Sequence, residues 1–143
     1  MLHEEMTEKI IKAYYKVYNT LGYGFLEKVY ENALAIELRK AGFKVEQQKN
    51  VKVYYEGEVV GDYYADILVD AAIIIELKSV DKLVDDHKAQ LINYLKATEI
   101  EVGILLNFGR TTDFKRAIFS NSAKKDSLKN NIISDPRRSA QSA

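Results

Sequence analysis

Residues 64–78 read Tyr64-Ala65-Asp66-Ile67-Leu68-Val69-Asp70-Ala71-Ala72-Ile73-Ile74-Ile75-Glu76-Leu77-Lys78. Two β-prone apolar runs, Ile67-Leu68-Val69 and Ile73-Ile74-Ile75, flank Asp70-Ala71, a short polar-to-small step suited to a hairpin turn. Side chains alternate across a strand, so Glu76 and Lys78 share one face while Ile75 and Leu77 share the other. The second run is almost wholly apolar, as expected of a central strand covered on both faces. If the two runs pair about Asp70-Ala71, Asp66 and Glu76 come close on one face. A carboxylate pair and an ammonium on a buried strand need company, because burying charge without partners costs several kcal/mol.

Working outward, the upstream chain has helical periodicity. Ile10, Ile11, Tyr14, Val17, Tyr18 and Leu21 form one stripe that Gly22-Tyr23-Gly24 ends,. Leu26, Val29, Tyr30, Ala33, Leu34, Leu38 and Ala41 form a second, with Gly42 placed for a left-handed C-terminal cap,. Glu37 falls within that second stripe with no partner evident from sequence. The period then changes to two: Phe43, Val45 and Gln47 alternate with Lys44, Glu46 and Gln48. Val51 to Tyr55 leads into Glu56-Gly57, a hairpin signal, and a strand follows from Val59 to Val69, weakened by Gly61,. Downstream, Asp85-Asp86 offers an N-cap to a helix reaching about Thr98, with His87, Gln90, Leu91, Tyr94 and Leu95 on its stripe. Val102 to Phe108 is a last apolar strand, and Phe114 to Phe119 adds an edge strand. The expected fold is α/β, a mixed sheet of α+β type with helices packed on it.

Composition bounds the chemistry. The chain has 143 residues, no Cys, one Pro, and 21 basic against 21 acidic residues. That length fits one domain. Disulfides and thiolate zinc sites are excluded, and two histidines, His3 and His87, leave no all-histidine metal site,. No apolar run approaches the ~20 residues of a membrane helix, and the N-terminus lacks a secretory signal core, so a cytoplasmic location is expected. A formal charge of zero removes bulk charge as a reason to bind nucleic acid, leaving a local patch or a metal,. Lys9, Lys12 and Lys16 lie along one side of the first helix, as a solvated face or a phosphate track. Residues 1–119 form the expected domain. Residues 120–143, rich in Ser, Asn, Lys and Arg, make a polar tail expected to be flexible, though Ile132-Ile133 offers a docking point,.

Asp66 and Glu76, with a backbone carbonyl, make an oxygen-only site suited to Mg²⁺ or Mn²⁺. A cation there relieves the repulsion between the carboxylates and can activate a phosphodiester toward water. Lys78 is placed to orient or deprotonate that water, or to neutralise the phosphorane. Gln90 and Tyr94, four apart, share a helix face. Glu27 opens the second helix, where the helix dipole favours an acid.

Gly24-x-x-Glu27-x-x-Tyr30, Asp66, Glu76-x-Lys78 and Gln90-x-x-x-Tyr94 together resemble the GxxExxY protein family, a branch of the PD-(D/E)XK nuclease superfamily. The resemblance covers about residues 3–119. It implies a restriction-endonuclease-like core in the order helix, three strands, helix, strand, here with an extra N-terminal helix. It also implies divalent-metal-dependent cleavage of nucleic acid, DNA ahead of RNA. By position, Asp66 and Glu76 resemble the metal-binding acids, Lys78 the catalytic lysine and Glu27 the helical acid that completes the metal shell. Gln90 and Tyr94 resemble the helix pair of exonuclease-like members. Ala65 stands where the superfamily name has proline, and Tyr64 where many relatives carry a basic residue. No separate recognition domain is evident, so a catalytic core that borrows its specificity from a partner protein is expected, and an uncovered edge strand or tyrosine patch offers a homodimer contact. Two other readings share these residues: a non-catalytic binding or scaffold protein on the same fold, and a hydrolase of small phosphates.

Overall fold

The computed structural model describes residues 2–124. Two helices come first, α1 (Glu4–Leu21) and α2 (Glu27–Lys40), then strands β1 (Val45–Tyr55), β2 (Glu58–Val69) and β3 (Ile73–Lys78). Helix α3 (Asp85–Lys96), strands β4 (Val102–Phe108) and β5 (Thr112–Ile118) and a short 3₁₀ turn, Asn121–Ala123, complete the order. The five strands form one sheet in sequence order. Only β3 and β4 are parallel, as α3 carries the chain across between them; the other neighbours are antiparallel. This is the mixed sheet with flanking helices that the sequence predicts, and its helix–three strands–helix–strand core follows an additional N-terminal helix.

Alternation along the central strands sends side chains to two cores. Ile67, Val69, Ile73, Ile75 and Leu77 pack with Ile104 and Leu106 beneath α1 and α2. Leu68, Ile74 and Leu105 face the other way, onto Leu91, Tyr94 and Leu95 of α3. Burying each such side chain contributes about 1.5–3 kcal/mol, so the continuous Ile73-Ile74-Ile75 run serves both layers,. The β2–β3 turn falls where the sequence places it. Asp70 and Ala71 both adopt positive φ, and the Ala72 N–H donates to the Val69 carbonyl at 2.9 Å.

Helix ends follow the sequence with one difference. Gly42 has φ +96 and follows α2 as the left-handed residue expected there,. At α3, however, Asp85 and Asp86 are the first helical residues and Val84 holds the cap position. His87 Nδ1 accepts the Val84 N–H at 3.1 Å, so the histidine closes the helix start. The two aspartates lie in the first turn, where the dipole favours them.

Residues just past Phe119 also make contacts with the body. Lys124 is buried, and its Nζ donates to the carbonyls of Thr98 at 2.9 Å and Ile100 at 2.7 Å. The Asn121 N–H donates to Glu101 Oε2 at 2.8 Å. Residues 120–124 are thereby fastened to the body; the rest of the tail, including Ile132-Ile133, lies outside the described residues.

Past β3 the chain is clamped to β4. The buried Asn107 amide accepts the Val80 N–H at 3.0 Å and donates to the Val80 carbonyl at 2.8 Å. Gly109 lets that strand approach: a Cβ there would lie 2.0 Å from the Val80 oxygen and 2.9 Å from Asn107 Nδ2. Gly109→Ala is therefore expected to destabilise the fold by roughly 2–4 kcal/mol, because rigid backbone rather than a flexible side chain must move. Urea unfolding of the variant, with an unchanged m-value, checks this.

Candidate active site

The site lies where two strands part. Strand β2 pairs with β1 over most of its length, but only Ile67, Leu68 and Val69 pair with β3. Strand β3 instead continues beside β4 as far as Lys78, opposite Asn107. Extending the Ile67–Ile75 register by one step sets Asp66 against Glu76, at the mouth of the fork. There the sheet hydrogen bonding is replaced by a side chain: the Leu77 N–H donates to Asp66 Oδ2 at 2.8 Å.

Glu76 bears the cost of this position. Burial, then the adjacent Asp66 carboxylate, pushes its carboxyl up to about 10, against an ordinary value of 4.5, and the nearby Lys78 offsets only part of the rise. Its Oε1 is buried and has no hydrogen-bond partner among the described residues. An unsatisfied buried acceptor costs about 1–3 kcal/mol. Two abutting carboxyls, one oxygen of which is unsatisfied, fit a hard divalent cation, which would neutralise both and take up the free lone pair.

Tyr94 is brought to this pair by α3. It is buried, and its phenol is pushed up to about 12 by burial first, then by Glu76 and Asp66. Its ring centroid lies 5.7 Å from that of Tyr63 on β2, which joins α3 to that strand beside the carboxyls. Gln90, one turn earlier, is exposed. The expectation that it lies on the buried stripe does not hold, because solvent can satisfy its amide there.

The third predicted acid is not gathered in. Glu27 is exposed at the first position of α2, and among the described residues no group of three or more His, Asp or Glu side chains is assembled to hold a metal. The acid that α2 turns inward is Glu31, 4% exposed. It accepts from Gln47 Nε2 at 2.7 Å, Gln48 Nε2 at 2.8 Å and Lys28 Nζ at 3.0 Å. Gln48 Nε2 also donates to Asp66 Oδ1 at 3.3 Å, linking the buried helix acid to the fork.

Gln48 itself has φ +54 and drops out of the ladder, which pairs Gln47 with Ile67 and Lys49 with Ala65 on either side of it. A non-glycine residue held there costs about 1–3 kcal/mol and marks a place the surroundings over-determine. Sequence reasoning passed over Glu31. The available signal was its spacing of three, four and seven from Leu34, Ala35 and Leu38, which sets a carboxylate on an apolar stripe. Glu37, by contrast, has partners after all: Lys16 on α1 at 2.9 Å and Lys40 at 3.8 Å, with Lys16 chiefly holding its carboxyl below the usual range.

The Gly24–Tyr30 motif has a structural component. The Tyr30 hydroxyl donates to the Gly22 carbonyl at 2.6 Å and accepts from the Phe25 N–H at 3.2 Å, closing the α1–α2 connection. Its ring stacks on Phe108 of β4 at 4.5 Å, which sets the start of α2 against the sheet.

A family model for the PD-(D/E)XK nuclease superfamily matches residues 4–117. Among solved structures, the crystal structure of SSO0001 is similar at 22% sequence identity with a TM-score of 0.49, over 82% of this chain and 60% of that one. This chain thus spans about three fifths of the length of that relative. No curated protein matches.

Proposed function

The chain belongs to the PD-(D/E)XK nuclease superfamily, and from that premise we propose that it hydrolyses nucleic-acid phosphodiester bonds with Mg²⁺ or Mn²⁺, DNA ahead of RNA. One observation carries the reading: Asp66 and Glu76 meet where β2 and β3 part, with a buried Glu76 oxygen left unsatisfied. Asp66 and Glu76 would hold the ion. A divalent cation bound there supplies charge to the scissile phosphate and lowers the pKa of a water.

The chain's own groups divide the remaining work. The Leu77 N–H and the Gln48 amide fix both oxygens of Asp66, so that carboxyl is oriented before any ligand arrives,. Lys78, two residues beyond Glu76 on the same strand face, orients the attacking water or neutralises charge building on the phosphate. Tyr94 covers the pair with a phenol kept protonated by its surroundings, able to donate a hydrogen bond,. Gln90, exposed one turn before Tyr94 on α3, is assigned to the substrate side of the same helix face. Glu27 stands at the start of α2, and we assign it to completing the metal shell only after substrate is bound.

The GxxExxY subfamily is proposed on Gly24, Glu27 and Tyr30 in register with the nuclease residues. Residues 1–119 are taken as the nuclease domain, with specificity supplied by a second copy or a partner protein. Among the described residues no helix is long and apolar enough to cross a membrane; a cytoplasmic location remains part of the proposal.

The test is cleavage of labelled single- and double-stranded DNA and RNA with Mn²⁺, with Mg²⁺ and with chelator. Metal-dependent cutting supports the reading. Asp66→Asn should weaken Mn²⁺ binding at least ~10-fold in calorimetry, since it removes one of two charged ligands; unchanged affinity would take Asp66 out of the site. Folded protein that neither binds metal nor cuts selects the non-catalytic reading. One observation favours that reading: Tyr55, Val59, Val60 and Tyr64 are exposed on the β1–β2 arm,.

A further inference from the structure

We infer that Glu31 is a positioning residue for Asp66, acting through the amide of Gln48, an inference that rests on the reading of Asp66 as a metal-holding acid. Gln48 Nε2 is shared between Glu31 Oε1 at 2.8 Å and Asp66 Oδ1 at 3.3 Å. One amide thus joins a buried helix acid to the fork. On a regular strand, Gln47 and Gln48 would point to opposite faces. Here both amides reach Glu31, and the residue that departs from regular strand geometry is Gln48, at φ +54.

Anchoring α2 to β1 does not account for that departure. Gln47 already anchors it, bonding Glu31 Oε2 at 2.7 Å and Asn32 Oδ1 at 2.8 Å without leaving the ladder. What the left-handed turn at Gln48 adds is the second contact, on Asp66. Glu31, buried and paired with Lys28 at 3.0 Å, is the acceptor that holds the amide in place. With the Leu77 N–H on Oδ2 and the Gln48 amide on Oδ1, Asp66 is bound at both oxygens. Glu31 therefore sets the orientation of a ligand it does not touch.

The discriminating variant is Gln48→Gly, which removes the amide and also relieves the positive φ, so a merely structural role predicts no loss. Thermal unfolding should show only a small net change, because relief of the positive φ offsets the lost bond to Glu31 Oε1,. Mn²⁺ affinity by calorimetry should fall ~10–100-fold, the range for residues that orient a metal ligand. Glu31→Gln should lower the affinity as well. Combined with Gln48→Gly it should add little, because both changes break one chain of contacts. Unchanged Mn²⁺ affinity in Gln48→Gly, while Asp66→Asn loses it, overturns the positioning role and leaves the nuclease reading standing. Fully additive losses in the double variant overturn the route through Gln48. A wild-type protein that binds no Mn²⁺ removes the reading of the site and this inference together.

Discussion

Lys78→Ala should leave a folded, metal-binding protein whose cleavage rate is lower by about 10²–10⁴-fold, the usual worth of a positioned acid–base or charge-neutralising group. Lys78 is half-buried at the end of β3, and its backbone pairs with Asn107, which an alanine retains. No acid lies within salt-bridge distance of it among the described residues, so its loss breaks no structural pair. Stability should change by less than about 1 kcal/mol. Mn²⁺ affinity should hold or rise slightly, since a cation has been removed from beside the carboxyls. The informative measurement is single-turnover cleavage at saturating Mn²⁺, which separates chemistry from metal loading. A variant that cuts at the wild-type rate would remove Lys78 from the mechanism; one that loses metal would make it a structural residue.

The metal-free protein should lose stability as pH rises, and Glu76 is the reason. In the folded chain its carboxyl is held up at about 10, whereas the unfolded chain ionises it near 4.5. Between those values the folded state binds the extra proton, so stability is fullest below 4.5 and declines as pH climbs through the window. The slope is at most ~1.4 kcal/mol per pH unit for one proton. Chelator-treated protein should therefore melt progressively lower from pH 5 to pH 9, and Glu76→Gln should flatten that trend. Saturating Mn²⁺ should also flatten it, because the bound carboxyl must be ionised. At pH 7, metal binding should then release about one proton, read as a dependence of binding heat on buffer ionisation enthalpy. A pH-independent melting temperature without metal would show that the fork holds no such proton.

Which parts of this site could be read from sequence depends on the range of the forces involved. The hairpin about Asp70-Ala71 is local: alternation and turn chemistry together fix its register, and register alone sets Asp66 against Glu76,. Helices α1 and α2 and strand β4 follow from periodicity in the same way. The place of Glu31 on the α2 stripe was legible, but its contacts were not, because its partners Gln47 and Gln48 lie on a later strand and one of them uses a backbone conformation no side-chain pattern announces. Glu37 looked unpartnered for a similar reason: Lys16 belongs to another helix. Gln90 failed through phase. With α3 starting at Asp85, it falls at the edge of the buried stripe rather than within it, while Leu91, Tyr94 and Leu95 carry the contact. The resemblance named Glu27 as the helical acid, but a first-turn residue faces solvent unless something draws it in.

The buried hydroxyl of Tyr14 gives the molecule a schedule. It donates to the carbonyl of Asn107 on β4 and accepts from the Asp113 N–H at 3.1 Å, while its ring meets Phe108 edge-on at 4.9 Å. All of these partners lie more than 90 residues downstream. During synthesis at about 5–20 residues per second, α1 must therefore wait roughly 5–20 s before its anchor leaves the ribosome. Throughout that interval its Ile10, Tyr14 and Val17 stripe lacks the β4 part of the layer it packs on, Ile104, Leu106 and Phe108, which makes it a natural handle for chaperones. A nascent chain stopped before β4 has no finished inner layer for α1. Mutations that weaken the Tyr14 anchor should therefore reduce the yield of folded protein in cells more than they lower the melting temperature of what survives.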